Sequence, residues 1–183
     1  MQQLCGIDEA GRGPIAGDLV MAGCILLQDI EGLNDSKKLT EKKRERLYEQ
    51  IVQHAEYHIV KFSAQTIDKQ GISACLHAGL KEILENLDAS EYLFDGNSNF
   101  GVQKIQTMIK ADGKVAEVSA ASILAKVTHD RDILQEALKY PEYQFEKHKG
   151  YGTKLHVEMI KKYGYCPIHR RSYKVKALEA TLF

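Results

Sequence analysis

Acidic residues stand at three points where an apolar, strand-like run gives way to glycine: Asp8-Glu9 before Gly11, Asp95 before Gly96, and Asp112 before Gly113. A carboxylate beside a buried strand is costly unless it is paired or bound to a cation. Converging hard oxygen donors of this kind suit Mg²⁺ or Mn²⁺, which take oxygen ligands and keep several waters. Two considerations weigh against that reading. Adjacent residues of a regular strand point to opposite faces, so Asp8 and Glu9 can share one site only if the strand ends beside them. Aspartate before glycine is also the commoner mark of a turn. Three such junctions in one short chain weaken that alternative without removing it.

The loop Gly11-Arg12-Gly13-Pro14, with Gly17 after it, offers backbone N–H groups that could cradle a phosphate. No Gly-Lys-Ser/Thr follows, so it is not a nucleotide loop of the Walker type. The position of Gly17 also fails the dinucleotide fingerprint. Its spacing alone carries little.

The elements that must position these groups follow from periodicity. Leu4 to Asp8 predicts a short strand entering the glycine-rich bend, and Leu19 to Leu27 a buried strand. Thr40 caps a helix to about His54, with Leu47 and Ile51 on one face. Tyr57 to Ser63 alternates as a strand, and Ile72 to Leu87 repeats as a helix. Glu91 to Phe94 and the alternation of Ile105, Thr107 and Ile109 predict two more strands. Val115 to Leu138 predicts a long helix whose small residues can pack close to a sheet. Two further helices are expected at Lys154–Lys162 and Val175–Leu182. Strands interleaved with helices indicate an α/β layered domain with a smaller helical appendage.

The chain has 183 residues with 25 Lys+Arg against 25 Asp+Glu, so its formal charge is zero. Neutrality taken alone argues against a nucleic-acid binder, yet it is assembled from blocks of opposite sign. Residues 37–46 carry six bases (Lys37, Lys38, Lys42, Lys43, Arg44, Arg46) against two acids, and residues 143–183 carry nine against three. Taken singly, a charge run is more often a solvated face than a binding surface. No apolar run reaches the roughly 18 residues of a membrane span, and no basic region precedes an apolar stretch at the N-terminus. Cys5, Cys24, Cys75 and Cys166 form no C-x-x-C pair, which argues against a zinc site and for reduced thiols in a cytoplasmic setting.

Taken together, these residues resemble the bacterial ribonuclease HII family. The resemblance is carried by Gly6-Ile7-Asp8-Glu9-Ala10-Gly11-Arg12-Gly13-Pro14, Asn34-Asp35-Ser36-Lys37-Lys38-Leu39, Phe94-Asp95-Gly96-Asn97, Lys110-Ala111-Asp112-Gly113-Lys114, Ala120-Ala121-Ser122-Ile123-Leu124-Ala125-Lys126-Val127 with Arg131, and His148-Lys149-Gly150-Tyr151-Gly152-Thr153. It implies a ribonuclease H-like fold: a mixed central sheet flanked by helices, with residues 1–140 as catalytic core. Residues 141–183 would form a helical C-terminal substrate-binding region of the same domain. The related HIII type has an additional N-terminal domain, for which a signature starting at Gly6 leaves no room.

The implied activity is endonucleolytic hydrolysis of RNA in RNA–DNA hybrids, with incision 5′ of single ribonucleotides embedded in duplex DNA. Products would carry 3′-hydroxyl and 5′-phosphate ends, and the cellular role would be removal of misincorporated ribonucleotides and primer remnants. Asp8, Glu9, Asp95 and Asp112 match the family's acidic positions and would hold two Mg²⁺ or Mn²⁺ ions. Gly11, Arg12 and Gly13 would surround the 2′-hydroxyl and scissile phosphate. Tyr151 would lay its ring against the sugar on the DNA side, although from its sequence context alone a half-buried aromatic is the favoured reading. Lys37, Lys38, Lys149, Arg170 and Arg171 would contact phosphates. Ala111 stands where the family usually has glycine, Gly113 where another small residue is often found, and the segment from Arg170 diverges after its basic start. A binder of hybrids without cutting, or another metal-dependent phosphohydrolase, are the competing readings. All four acids being present argues against the pure binder. A monomer is expected. Glu179-Ala180-Thr181-Leu182-Phe183 is similar to a sliding-clamp peptide lacking its glutamine, but a helix end packing two apolar residues is preferred there.

Overall fold

The computed structural model describes residues 3–33 and 38–179. Five strands form one sheet: β1 (Leu4–Ala10), β2 (Leu19–Leu26), β3 (Ala55–Phe62), β4 (Glu91–Asp95) and β5 (Ile105–Met108), in the order β3-β2-β1-β4-β5. β1, β2 and β3 pair antiparallel, and β4 and β5 join parallel to β1. The sheet is therefore mixed, with β1 at its centre.

Helices cover both faces. On one side lie α2 (Ala64–Gln70) and α3 (Ile72–Asn86); on the other lie α1 (Glu41–His54) and α4 (Ala116–Lys139). Strand alternation explains the division. Cys5, Ile7 and Met21 point to α3, where they bury with Leu76, Leu80, Ile83, Tyr92 and Phe94. Val20, Ala22 and Cys24 point the other way, against Leu47, Ile51, Ala120 and Leu124. The small residues of α4 let it sit directly on β1. A Cβ at Gly6 would lie 2.2 Å from the carbonyl carbon of Glu117, so only glycine allows this approach.

Thr40 and Ser63 cap α1 and α2 by accepting from the N–H groups of Lys43 and Thr66. The short α2 is absent from the sequence-based expectations. Only Ala64 and Ile67 are buried in it, too few to print a helical period, and its signals are the Ser63 cap and the Gly71 stop. Ile109 was expected in the last strand, but β5 ends at Met108 and Ile109 is 63% exposed. At the basic end, α5 (Phe145–His148), α6 (Lys154–Tyr163) and α7 (Lys176–Glu179) pack with the end of α4 around Ile133, Tyr143, Phe145 and Ile160. This third cluster lies beside the glycine-rich bend, since Ile15 and Ala16 belong to it. No helix among the described residues is long and apolar enough to cross a membrane.

Candidate active site

β1 stays regular through Ala10 and does not stop at Asp8. Asp8 therefore faces α4, on the same side as Gly6, and Glu9 faces away. β1 and β4 pair in parallel with Ile7 opposite Phe94, so the next residues, Asp8 and Asp95, are neighbours on one face. Asp112 joins them from a single 3₁₀ turn, Ala111–Gly113, that precedes α4. Carboxylate oxygens of Asp8, Asp95 and Asp112 all lie within 4.8 Å of one another. The expected set of four is thus a cluster of three plus a neighbour, because alternation keeps Glu9 out of that group.

The surroundings hold this cluster rigidly. Asp95 accepts from the backbone N–H of Lys110 at 3.0 Å and of Asp112 at 3.3 Å, which locks the 3₁₀ turn onto the end of β4. Ser122 on α4 hydrogen-bonds Asp8, and Ser119 donates to the carbonyl of Asp112. Ala111 is fully buried, so this turn has room for a methyl group.

Electrostatically the site is dominated by negative charge, with Arg12 set against Glu9. Asp8 is 8% exposed and Asp112 5%. Burial, and then the Glu9 and Asp95 charges, push the Asp8 carboxyl well above the usual range. Glu9 is raised too, first by burial; Arg12 opposes this and Asp95 adds to it. Arg12 Nη1 lies 3.6 Å from Glu9 Oε1, while Glu9 Oε2 is buried with no hydrogen-bond partner among the described residues. Oxygen-only donors, mutual repulsion and an orphaned carboxylate oxygen fit a divalent cation.

Beside the cluster the chain turns through Gly11, whose φ is +83°. A Cβ there would lie 2.4 Å from the Asp18 carbonyl oxygen and 2.6 Å from His129 Cδ2. Gly13 is different: its added Cβ would meet only Tyr151 Cε1, at 3.7 Å. Tyr151 is 45% exposed and stands over that glycine. Its turn is pinned to the loop, since Ile15 N–H donates to the Gly150 carbonyl at 2.9 Å.

Arg170 corrects an expectation. It is 1% exposed and does not present its charge to a phosphate. Its Nη2 donates to the Gly11 carbonyl at 2.6 Å, Nε to the Gly17 carbonyl at 2.9 Å, and Nη1 to the Arg12 carbonyl at 3.3 Å. Tyr173 completes the clamp by donating its hydroxyl to the Arg12 carbonyl at 2.8 Å. Arg171 is exposed and lies against α2, where its N–H donates to Asp68. Lys149 is half-buried in a left-handed conformation beside Gly150, and Lys38 is exposed before α1. Lys37 lies outside the described residues, as do Ala180 to Phe183 of the clamp-like tail. Asp130 forms an ion pair, 2.7 Å from Lys126, and also accepts from His129.

A family model described as Ribonuclease HII matches residues 5–176. The chain belongs to the ribonuclease HII family. A curated Ribonuclease HII from a Sulfurovum species is 65% identical over 98% of this chain and 96% of its own. Among solved structures, the ribonuclease HII of a PCNA:RNase HII complex from Archaeoglobus fulgidus superposes with a TM-score of 0.84 at 27% identity, covering 95% of this chain and 96% of that one. The ribonuclease H2 of Pyrococcus horikoshii gives 0.77 at 27% identity, covering 98% and 96%. Membership of the ribonuclease HII family makes the chain an enzyme of the metal-dependent endoribonuclease class.

Sequence reasoning missed the supports of this ribonuclease HII site. Ser122 and Ser119 stood only among the small residues expected to pack close to a sheet, but their spacing of three places both on the face of α4 turned to the aspartates. Arg170 was expected at a phosphate on the strength of the resemblance, and arginine is seldom fully buried unless paired. A buried guanidinium satisfied by carbonyls leaves no mark in the sequence.

Proposed function

We propose that the chain hydrolyses the RNA strand of RNA–DNA hybrids and incises 5′ of single ribonucleotides embedded in duplex DNA, leaving 3′-hydroxyl and 5′-phosphate ends. In the cell this serves removal of misincorporated ribonucleotides and RNA primers. The observation that carries the reading is the convergence of Asp8, Asp95 and Asp112 within 4.8 Å, in a chain of this family. These three, with Glu9 alongside, would hold two divalent ions, Mg²⁺ or Mn²⁺. Such ions acidify a bound water and offset charge on the leaving 3′ oxygen.

The chain's own groups do the positioning. A peptide is planar and trans, so a carbonyl and the following N–H point in opposite directions. Arg170 draws the Gly11 and Arg12 carbonyls inward, which turns the Arg12 and Gly13 N–H groups away from it. Those two donors suit the scissile phosphate and the 2′-hydroxyl, the group that separates RNA from DNA. Tyr151, standing over Gly13, would take the neighbouring deoxyribose. Lys37, Lys38, Lys149 and Arg171 would meet phosphates without reading sequence, and Arg170 is withdrawn from that set. Residues 141–183 serve as the substrate-binding part of one domain, and the enzyme acts as a monomer. A sliding-clamp contact through residues 179–183 is a subsidiary part of the reading.

The test is incision of a duplex carrying one ribonucleotide, beside the all-DNA duplex and a long hybrid, with Mg²⁺, with Mn²⁺ and with chelator. Cutting that needs both the ribonucleotide and the metal, and that Asp95→Asn abolishes with binding retained, is the expected result. Cutting indifferent to the 2′-hydroxyl would overturn the reading.

A further inference from the structure

Three histidines of the C-terminal region are buried and take no part in the proposed chemistry: His148 is 6% exposed, His156 0% and His169 2%. They form a cluster. His148 and His156 stack with ring centroids 4.1 Å apart, and Nε2 of His156 lies 3.0 Å from Nε2 of His169. Two facing ring nitrogens at that distance need one donor and one acceptor, and both ends of the chain say which is which. At the far end His156 Nδ1 lies 2.9 Å from the backbone carbonyl of Tyr151, which can only accept. His156 Nδ1 therefore carries a proton, and in a neutral ring its Nε2 must accept. His169 Nε2 must then donate, so its Nδ1 accepts. That is what the near end supplies: the Cys166 N–H donates to His169 Nδ1 at 2.9 Å. One directed chain of hydrogen bonds runs from Cys166 through His169 and His156 to Tyr151.

The chain ends on the residue proposed to stack on the sugar. The Tyr151 carbonyl also accepts from Thr153 N–H at 2.8 Å, and its own N–H donates to His148 at 2.9 Å. Tyr151 thus has a rigid backbone beneath a half-exposed ring. Its anchor is shared with the glycine loop. His169 forms a bridge with Ala16, and the next residue, Arg170, clamps Gly11, Arg12 and Gly17. Neighbouring residues of one segment therefore fix the two substrate-facing parts, the tyrosine and the glycine loop, at a set separation.

We infer that His156 and His169 are positioning residues that set the Tyr151 ring over Gly13, and so set how tightly the enzyme grips the sugar beside the cleavage point. The inference rests on the proposed role of Tyr151. The fixed separation matters because misplacing a substrate-orienting group by about 1 Å can cost on the order of 100-fold in rate.

The test compares His156→Leu, which fills space but cannot donate, with His156→Asn, whose side-chain amide can stand where Nδ1 stood. Both are made alone and with Tyr151→Ala, and a 3-fluorotyrosine label reports the Tyr151 ring by ¹⁹F NMR. His169→Leu and His169→Gln repeat the comparison one step back, should a His156 variant fail to fold. His156→Leu should lower kcat/KM on the single-ribonucleotide duplex by roughly 10-fold and change the Tyr151 resonance, and His156→Asn should restore both. In the Tyr151→Ala background the same histidine change should cost nothing further. An undiminished loss in that background, or an unchanged Tyr151 resonance in His156→Leu, overturns the inference. If instead the resonance changes but Tyr151→Ala cuts normally, the relay stands as a support and the role given to Tyr151 falls.

Discussion

Nη2 of Arg170 donates to the carbonyl of Gly11 at 2.6 Å, joining the C-terminal region to the loop beside the carboxylates across 159 residues of sequence. No carboxylate among the described residues forms an ion pair with it, and burial lowers its pKa despite the nearby Tyr173, Asp18 and Asp68. The guanidinium is held by its fork of donors to three carbonyls. Arg170→Lys keeps the charge but cannot span those carbonyls, and it leaves buried acceptors unmet. We expect a loss of about 2–4 kcal/mol in urea unfolding, together with a fall in cleavage larger than the fraction unfolded explains. An unchanged unfolding midpoint would show that the clamp contributes little.

Gly11 and Gly13 should separate stability from activity. Gly11→Ala forces a Cβ to within 2.4 Å of the Asp18 carbonyl oxygen at a φ of +83°, so it should cost about 2–4 kcal/mol. Gly13→Ala meets only the Tyr151 ring edge at 3.7 Å, so its melting temperature should stay near wild type. The new methyl would nonetheless sit in the gap between loop and tyrosine where the sugar is proposed to lie. Thermal melts beside single-turnover cleavage check both: Gly11→Ala should fail in each, and Gly13→Ala in cleavage alone.

Chelation should destabilise the wild-type protein. Asp8, Asp95 and Asp112 repel one another without a cation, and a ligand present at 100 times its Kd adds about 2.7 kcal/mol. Adding Mg²⁺ or Mn²⁺ should therefore raise the wild-type melting temperature, and Asp8→Asn should blunt the rise. In chelator Asp8→Asn should melt at or above wild type, because a group whose carboxyl is pushed upward by burial and by Glu9 gains from losing its charge. A metal response that survives in Asp8→Asn would place the cation elsewhere.

What could be read in advance was what local pattern records. The central strand, the long helix and the three aspartates before glycine are short-range features; that Asp8, Asp95 and Asp112 lie within 4.8 Å of one another is a property of the fold, which local pattern left open against a set of turns. The division between Asp8 and Glu9 was foreseen as an objection and decided by the regularity of β1 up to Ala10, which the following glycines concealed. Arg170 and the histidine chain were illegible for another reason. Their partners are backbone atoms, Gly11, Gly17 and Cys166 among them, which have no residue type to recognise. A helix as short as α2 buries too little to show a period.

Acid should weaken the fold through the histidines before it protonates ordinary carboxylates. Burial holds His156 and His169 at about 4, against 6.5 for an exposed histidine; the nearby His148 adds to this for both, and Arg171 for His169. Above pH 6.5 both folded and unfolded chains carry these rings neutral, and they exert no pH dependence. Between 6.5 and 4 the unfolded chain takes up protons that the folded chain refuses, so stability falls as pH falls. Below 4 the folded rings also protonate and the loss levels off, at roughly 3 kcal/mol per ring. Protonation of His156 would also set N–H against N–H across the 3.0 Å contact, and protonation of His169 would set its Nδ1–H against the Cys166 N–H. Asp8 and Glu9, whose carboxyls are raised, act in the opposite sense and favour the folded chain in acid. Only a comparison isolates the histidine contribution. Urea unfolding at half-unit steps from pH 7.5 to 4.5 should show a shallower fall in His156→Asn than in wild type. Parallel curves would mean that His156 keeps its ordinary affinity for protons in the fold.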